Sequence, residues 1–199
     1  MLLASRRALL CLAAAAATAV ALPAQAADGP AAQLIETAAS EVIALIKANK
    51  GPQLEAGIRD VLLKYFDIPY MGRTALATHW DATTPEQRER YLKSVVSSEA
   101  HAYTERFSQY GGQTLTVTRV TQRAAGVSVV DSKLNQTNGQ PINIQWEVRD
   151  TGQGLRITDV KIEGVSMVMT HRSDFNSYIS GHGGQVEPLI DELEKRAGR

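Results

Sequence analysis

The chain has 199 residues, with 21 basic and 21 acidic side chains and a formal net charge of zero. No basic excess is present to neutralise phosphates, which argues against nucleic acid as a partner. The single cysteine, Cys11, excludes an internal disulfide.

Cys11 sits in a segment with the features of an export signal. Arg6 and Arg7 precede an uncharged apolar run from Ala8 to Leu22. Pro23 ends the run, and Ala24-Gln25-Ala26 supplies a small-x-small cleavage pattern. The run falls short of the roughly 20 apolar residues that span a bilayer. Residues 1–26 are therefore expected to be a cleaved signal peptide. Ser5-Arg6-Arg7 leaves both the general and the twin-arginine export routes open. Residues 27–199 then form one domain, long enough to bury a core of its own. Without Cys11 that domain has no thiolate nucleophile and no cysteine-ligated metal site.

Helical spacing comes first along the mature chain. Leu34, Ile35, Ala38, Val42, Leu45 and Ile46 predict a helix over 31–50, stopped by Gly51-Pro52. Leu54, Ile58, Val61, Leu62 and Tyr65 mark a second helix, and Met71, Ala75, Leu76 and Trp80 mark a third, shorter one. Thr84-Pro85-Glu86-Gln87 reads as a capping box with proline in the first turn. The helix it opens runs toward Tyr110, with Tyr91, Tyr103, Phe107 and Tyr110 on its period, and Gly111-Gly112 ends it.

After Gly112 the period drops to two. Strands are expected over 114–121 and 127–134, with a turn at Asn138-Gly139. Ile142, Ile144, Trp146 and Val148 alternate with Asn143, Gln145, Glu147 and Arg149, the mark of a half-buried strand. A fourth strand covers 155–163. Its parity slips between Ile157 and Val160, which implies a bulge and a bent sheet. Ser166 can cap a helix over 166–180, and Val186, Leu189, Ile190 and Leu193 make a last one. The expected fold is α+β, a curved four-stranded antiparallel sheet with helices on one face.

Chemistry is scarce in this pattern. His79, His101, His171 and His182 form no paired metal spacing, so no metal or cofactor is expected. Gly164-Val165-Ser166-Met167-Val168 misses the last glycine of a nucleophile elbow. Asp159 could serve as a buried base on an apolar substrate, as in some curved-sheet folds, but a structural aspartate at a bulge explains it as well. Arg73 and Arg172 could meet a phosphate or form internal ion pairs. The aromatic side of the long helix could face the Ile142–Val148 stripe. Periodicity alone does not distinguish a filled core from a hollow one there.

A resemblance adds to this reading. Phe66-Asp67-Ile68-Pro69-Tyr70-Met71-Gly72-Arg73-Thr74-Ala75-Leu76-Ala77-Thr78-His79-Trp80 is similar to the F-D-x-x-x-M-x-R-x-x-L-G-x-x-W segment of the MlaC/toluene-tolerance family. Asp159-Val160-Lys161-Ile162-Glu163-Gly164-Val165-Ser166-Met167 and Thr170-His171-Arg172-Ser173-Asp174-Phe175 resemble that family's D-V-x-I-E-G-V-S-L and T-x-R-S-E-F blocks. Ala77 departs from the family's usual glycine, which puts the local turn in question, and Asp174 replaces a glutamate.

The resemblance implies a periplasmic, non-enzymatic lipid carrier. Its partners would be a phospholipid ligand, an outer-membrane lipoprotein complex and an inner-membrane ABC transporter complex. A branch of the family is associated with hopanoid synthesis genes, which leaves a polycyclic lipid as an alternative cargo. A carrier must enclose the tails, so the expected site is an apolar lining: Tyr103 and Phe107 from the long helix, and Ile144, Trp146 and Val148 from the third strand. Val117, Val129, Val165, Met71 and Leu76 are further candidates. Tryptophan in place of Ile144 or Val148 is expected to cut bound lipid while the protein still folds.

Overall fold

The computed structural model describes residues 28–198; the expected signal, residues 1–26, lies outside them. Four α-helices come first: α1 (Pro30–Ala48), α2 (Gly51–Tyr65), α3 (Ile68–Leu76) and α4 (Pro85–Phe107), with a 3₁₀ turn at Ala77–Ala82 before α4. Gly51 takes a φ of 54°, which a side chain would resist, so Gly51-Pro52 both ends α1 and opens α2. The capping box forms as expected. Thr84 Oγ1 accepts from the Gln87 backbone N–H at 3.2 Å, and Gln87 Oε1 accepts from the Thr84 N–H at 3.1 Å.

Five strands follow, β1 (Thr114–Ala124), β2 (Val127–Asn135), β3 (Ile142–Asp150), β4 (Leu155–Ile162) and β5 (Val165–Ser166). They form one antiparallel meander in the order β1-β2-β3-β4-β5. The expectation of four strands is corrected by β5. Glu163 and Gly164 both take positive φ, 48° and 82°, and this turn folds Val165 and Ser166 back onto Ile162 and Lys161. The parity slip in β4 is a real irregularity. Glu147 pairs with Asp159 and Val148 with Ile157, leaving Thr158 as the extra residue. A similar shift in β1 leaves Thr118 unpaired between Val117 and Arg119. Such insertions bend and twist the strands that carry them.

Helix α5 (Met167–Gly181) is capped by Ser166, whose Oγ accepts from the Met169 N–H at 3.1 Å. Helix α6 (Glu187–Arg196) closes the described chain. The core is divided. One part sets Ala31, Ala32, Ile35 and Ala38 of α1, and Val61 and Tyr65 of α2, on Val117, Val120, Val130, Val148 and Ile157. A second lies among α3, α4, α5 and α6. A third joins Ile46, the apolar face of α2, and Val96 and Ala100 of α4.

Tyr91 does not join the sheet-facing aromatics. It is fully buried in the second part, edge-on to Phe175 at 6.1 Å, with its hydroxyl donating to the Gly72 carbonyl. The reason is distance along α4. At 1.5 Å per residue, Tyr91 and Phe107 are separated by about 24 Å of helix, so one face serves two compartments.

Candidate functional site

Helices α1, α2 and the C-terminal part of α4 roof the sheet without meeting it everywhere. A cavity of about 480 Å³ remains between them. Its roof is Ile35, Ala38, Val42 and Ile46 of α1, Ile58, Val61 and Leu62 of α2, and Tyr103 and Phe107 of α4. Its floor is Leu115, Leu134, Ile144, Trp146, Ile157, Val160 and Ile162. Phe66, in the link after α2, stands at one side.

Polar groups gather among Arg106, Gln109, Gln113 and Gln136, and Arg106 is the only charged residue among the described residues of the lining. Its guanidinium lies 5.7 Å from the centre of the Tyr103 ring, which in turn stacks on Phe107 at 5.8 Å. Burial, and then the Glu99 carboxylate, push the Tyr103 phenol up to about 12. The ring therefore stays uncharged at neutral pH. One polar atom on the floor, Trp146 Nε1, donates to Ser132 Oγ at 2.9 Å. The cavity so built offers hydrocarbon contact along its length and hydrogen bonds and a cation at its rim.

A smaller void of about 80 Å³ adjoins it, between α3, α4 and α5. Leu62, Phe66, Tyr103 and Val160 face both spaces. Among the described residues, no helix is long and apolar enough to cross a membrane, and no cluster of three or more His, Cys, Asp or Glu could hold a metal.

The sequence model of the MlaC protein family matches residues 36–195. The chain belongs to the MlaC family. The MlaC binding protein of an intermembrane phospholipid transport system from Haemophilus influenzae is 22% identical over 177 residues, 83% of this chain and 81% of that protein. A solved structure of a phospholipid-binding protein from Ralstonia solanacearum, in complex with a phospholipid, has the same fold. It is 24% identical, with a TM-score of 0.71, and the match covers 83% of this chain and 96% of that one.

In this MlaC chain, four of the expected residues line the main cavity together: Tyr103, Phe107, Ile144 and Trp146. Met71 lines the smaller void instead. The other five do not line either space. Val148 and Val117 point to the correct face of the sheet, but α1 and α2 seal them into the core at 0% and 7% exposure. Leu76 is sealed in the same way among α3, α4, α5 and α6. Val129 pairs with Glu147, so the pleat turns it to the polar face, while its neighbour Val130 points inward. Val165, on the short outer strand β5, is 56% exposed.

Asp159 is spent on structure. Its Oδ1 accepts from Ser166 Oγ at 3.0 Å and lies 3.4 Å from the Val168 N–H, at the start of α5. It pairs with Glu147 on the sheet face opposite Trp146 and Val160. The geometry needed for an aspartate base in the cavity is not present. Arg73 lies 4.0 Å from Asp81 with its side chain 67% exposed, and Arg172 is exposed; neither lines the cavity.

Sequence reading missed the helical roof. Ile35, Ala38, Val42, Ile58 and Leu62 carry the same periodicity as ordinary core positions, and nothing local sets them apart. Arg106 had a signal. It is a cation one residue before Phe107, near the end of an aromatic helix, and so sits beside the expected lining.

Proposed function

We propose that this chain is a carrier that holds a phospholipid with its tails in the 480 Å³ cavity and its headgroup at the Arg106 rim. Tyr103, Phe107, Ile144 and Trp146 are the proposed tail contacts. Export to the periplasm, delivery to an inner-membrane ABC transporter complex and exchange with an outer-membrane lipoprotein complex complete the reading. The export-signal pattern and membership of the MlaC family support them.

The observation that carries the reading is a mostly apolar cavity whose Arg106, Gln109, Gln113 and Gln136 come from the end of α4, the α4–β1 link and the residue after β2. Its volume lies within the roughly 300–1,000 Å³ typical of ligand sites. The physical need is plain. Each methylene left in water costs about 0.8 kcal/mol, so two tails of roughly 15 methylenes each carry a cost on the order of 20 kcal/mol. A carrier must cover them and can leave the headgroup wet.

Native mass spectrometry of protein purified from its own periplasm, followed by organic extraction, tests this. A stoichiometric diacyl phospholipid is expected. A hopanoid or other polycyclic lipid in its place would move the cargo to the other branch of the family. Protein without any lipid, and unable to take one from vesicles, would overturn the carrier reading.

A further inference from the structure

The smaller void has a shape that the carrier reading does not yet use. It lies behind Leu62, Phe66, Tyr103 and Val160, and each of these side chains also faces the main cavity. The two spaces thus share four wall residues. Phe66 and Tyr103 are only half-buried, and each has two side-chain torsions by which it can turn.

Beyond these shared residues the walls are apolar, with Met71 on α3 and Met167 at the start of α5 among them. Methionine adapts to an irregular guest more readily than a branched side chain. One side is different, a turn of α4 before Tyr103. Glu99 Oε1 and His171 Nε2 meet there at 3.4 Å, joining α4 to α5, and both side chains are about one third exposed, at 31% and 34%. Hydrocarbon pushed past that pair would strip water from charged or polar groups, which is unfavourable.

We propose that the 80 Å³ chamber receives the ends of long acyl tails, with Phe66 and Tyr103 as the gate and the Glu99–His171 pair as a polar limit on one side. The inference rests on the carrier reading and adds a tail-length preference to it. A methylene occupies close to the ~30 Å³ of a liquid water, so the chamber holds about three carbons in all. Each carbon moved from water into it favours binding roughly fourfold. The chamber is therefore a length filter, favouring tails that reach it and penalising those that overrun it.

The test loads the purified protein from vesicles containing equal amounts of phosphatidylglycerols, from dimyristoyl through diarachidoyl in two-carbon steps. The bound species are then weighed by native mass spectrometry. Met71→Trp and Val95→Phe fill the chamber from α3 and from α4, and circular dichroism identifies the variants that fold. Either folded variant is expected to lower the ratio of longest to shortest bound tails by about tenfold or more, with total lipid close to wild type. Tyr103→Ala opens the gate and is expected to raise that ratio. Folded variants that keep the wild-type tail distribution overturn the length filter while leaving the carrier intact. A wild-type protein that takes up none of the phosphatidylglycerols overturns the carrier reading itself, and the filter with it.

Discussion

Trp146 Nε1 donates a 2.9 Å hydrogen bond to Ser132 Oγ, and that hydroxyl donates in turn to the Ile144 carbonyl at 3.1 Å. The relay crosses from β3 to β2 and back within a wall that is otherwise hydrocarbon. It ties the indole to the cavity wall and leaves no bare N–H beside a guest.

Ser132→Ala removes the acceptor and leaves the indole N–H unpaired in an apolar site. A loss of about 1–3 kcal/mol is expected in urea unfolding. Trp146 emission should also shift, because the ring is no longer held. An unchanged midpoint with unchanged emission would show that the hydroxyl does not position the ring.

Ile144 and Val148 share one face of one strand but should respond oppositely to tryptophan. Ile144→Trp extends into the cavity, so the protein is expected to unfold cooperatively as before and to carry less lipid. Val148→Trp has no void to enter, since Val148 is fully buried in the sealed core. It should destabilise by about 1–3 kcal/mol or more through overpacking. Lipid extraction and thermal unfolding of both variants separate the two sites. Equal lipid loss in two equally stable variants would contradict the boundary drawn between core and cavity.

Ala77 has φ 50° and ψ −122°, a conformation that glycine adopts freely and alanine does not. This is the position where the family's pattern carries glycine. Ala77→Gly should therefore stabilise the protein by about 1 kcal/mol, the relief of strain outweighing the extra freedom of glycine in the unfolded chain. A lower melting temperature for this variant would argue against strain at the α3 terminus.

Glu41 links α1 to α2 along the cavity roof. Its Oε2 accepts from Lys64 Nζ at 2.8 Å and from the Tyr65 hydroxyl at 2.7 Å. The Lys64 bond first, then the Tyr65 bond, hold this carboxyl below its ordinary value. A carboxyl depressed in the folded state contributes stability above its unfolded value, near 4.3, and loses it as pH falls through the folded value. Glu41→Gln keeps an acceptor for Tyr65 but does not titrate. The gap in melting temperature between wild type and variant, small because the pair is exposed, should narrow as pH drops from about 5 to about 3. A gap that stays constant across that interval would remove Glu41 from the acid response.

Much of the secondary structure was legible because it is written locally. The Thr84–Gln87 capping box, the Ser166 cap and the strict alternation of Ile142 to Val148 each depend on residues within a turn or a strand of one another. The bulge at Thr158 was legible for the same reason, as a break in parity. Val129 was misplaced because Val129 and Val130 are adjacent valines, and a one-residue choice flips the face. The strand β5 was hidden because Glu163, a non-glycine residue with positive φ, gives no turn signal of its own.

The sequence by itself determined the order of the helices and of the first four strands, the Thr84 and Ser166 caps, the apolar face of β3 and the family to which the chain belongs. It did so because capping, pleat and helical period act over a few residues. Only the tertiary structure decided that Ile144 and Trp146 border an open space while Val148, on the same face, is sealed beneath α1 and α2. Alternation records which way a side chain points. The distance to the layer it points at is set by how whole helices seat on a bent sheet, and no short stretch of residues encodes that separation.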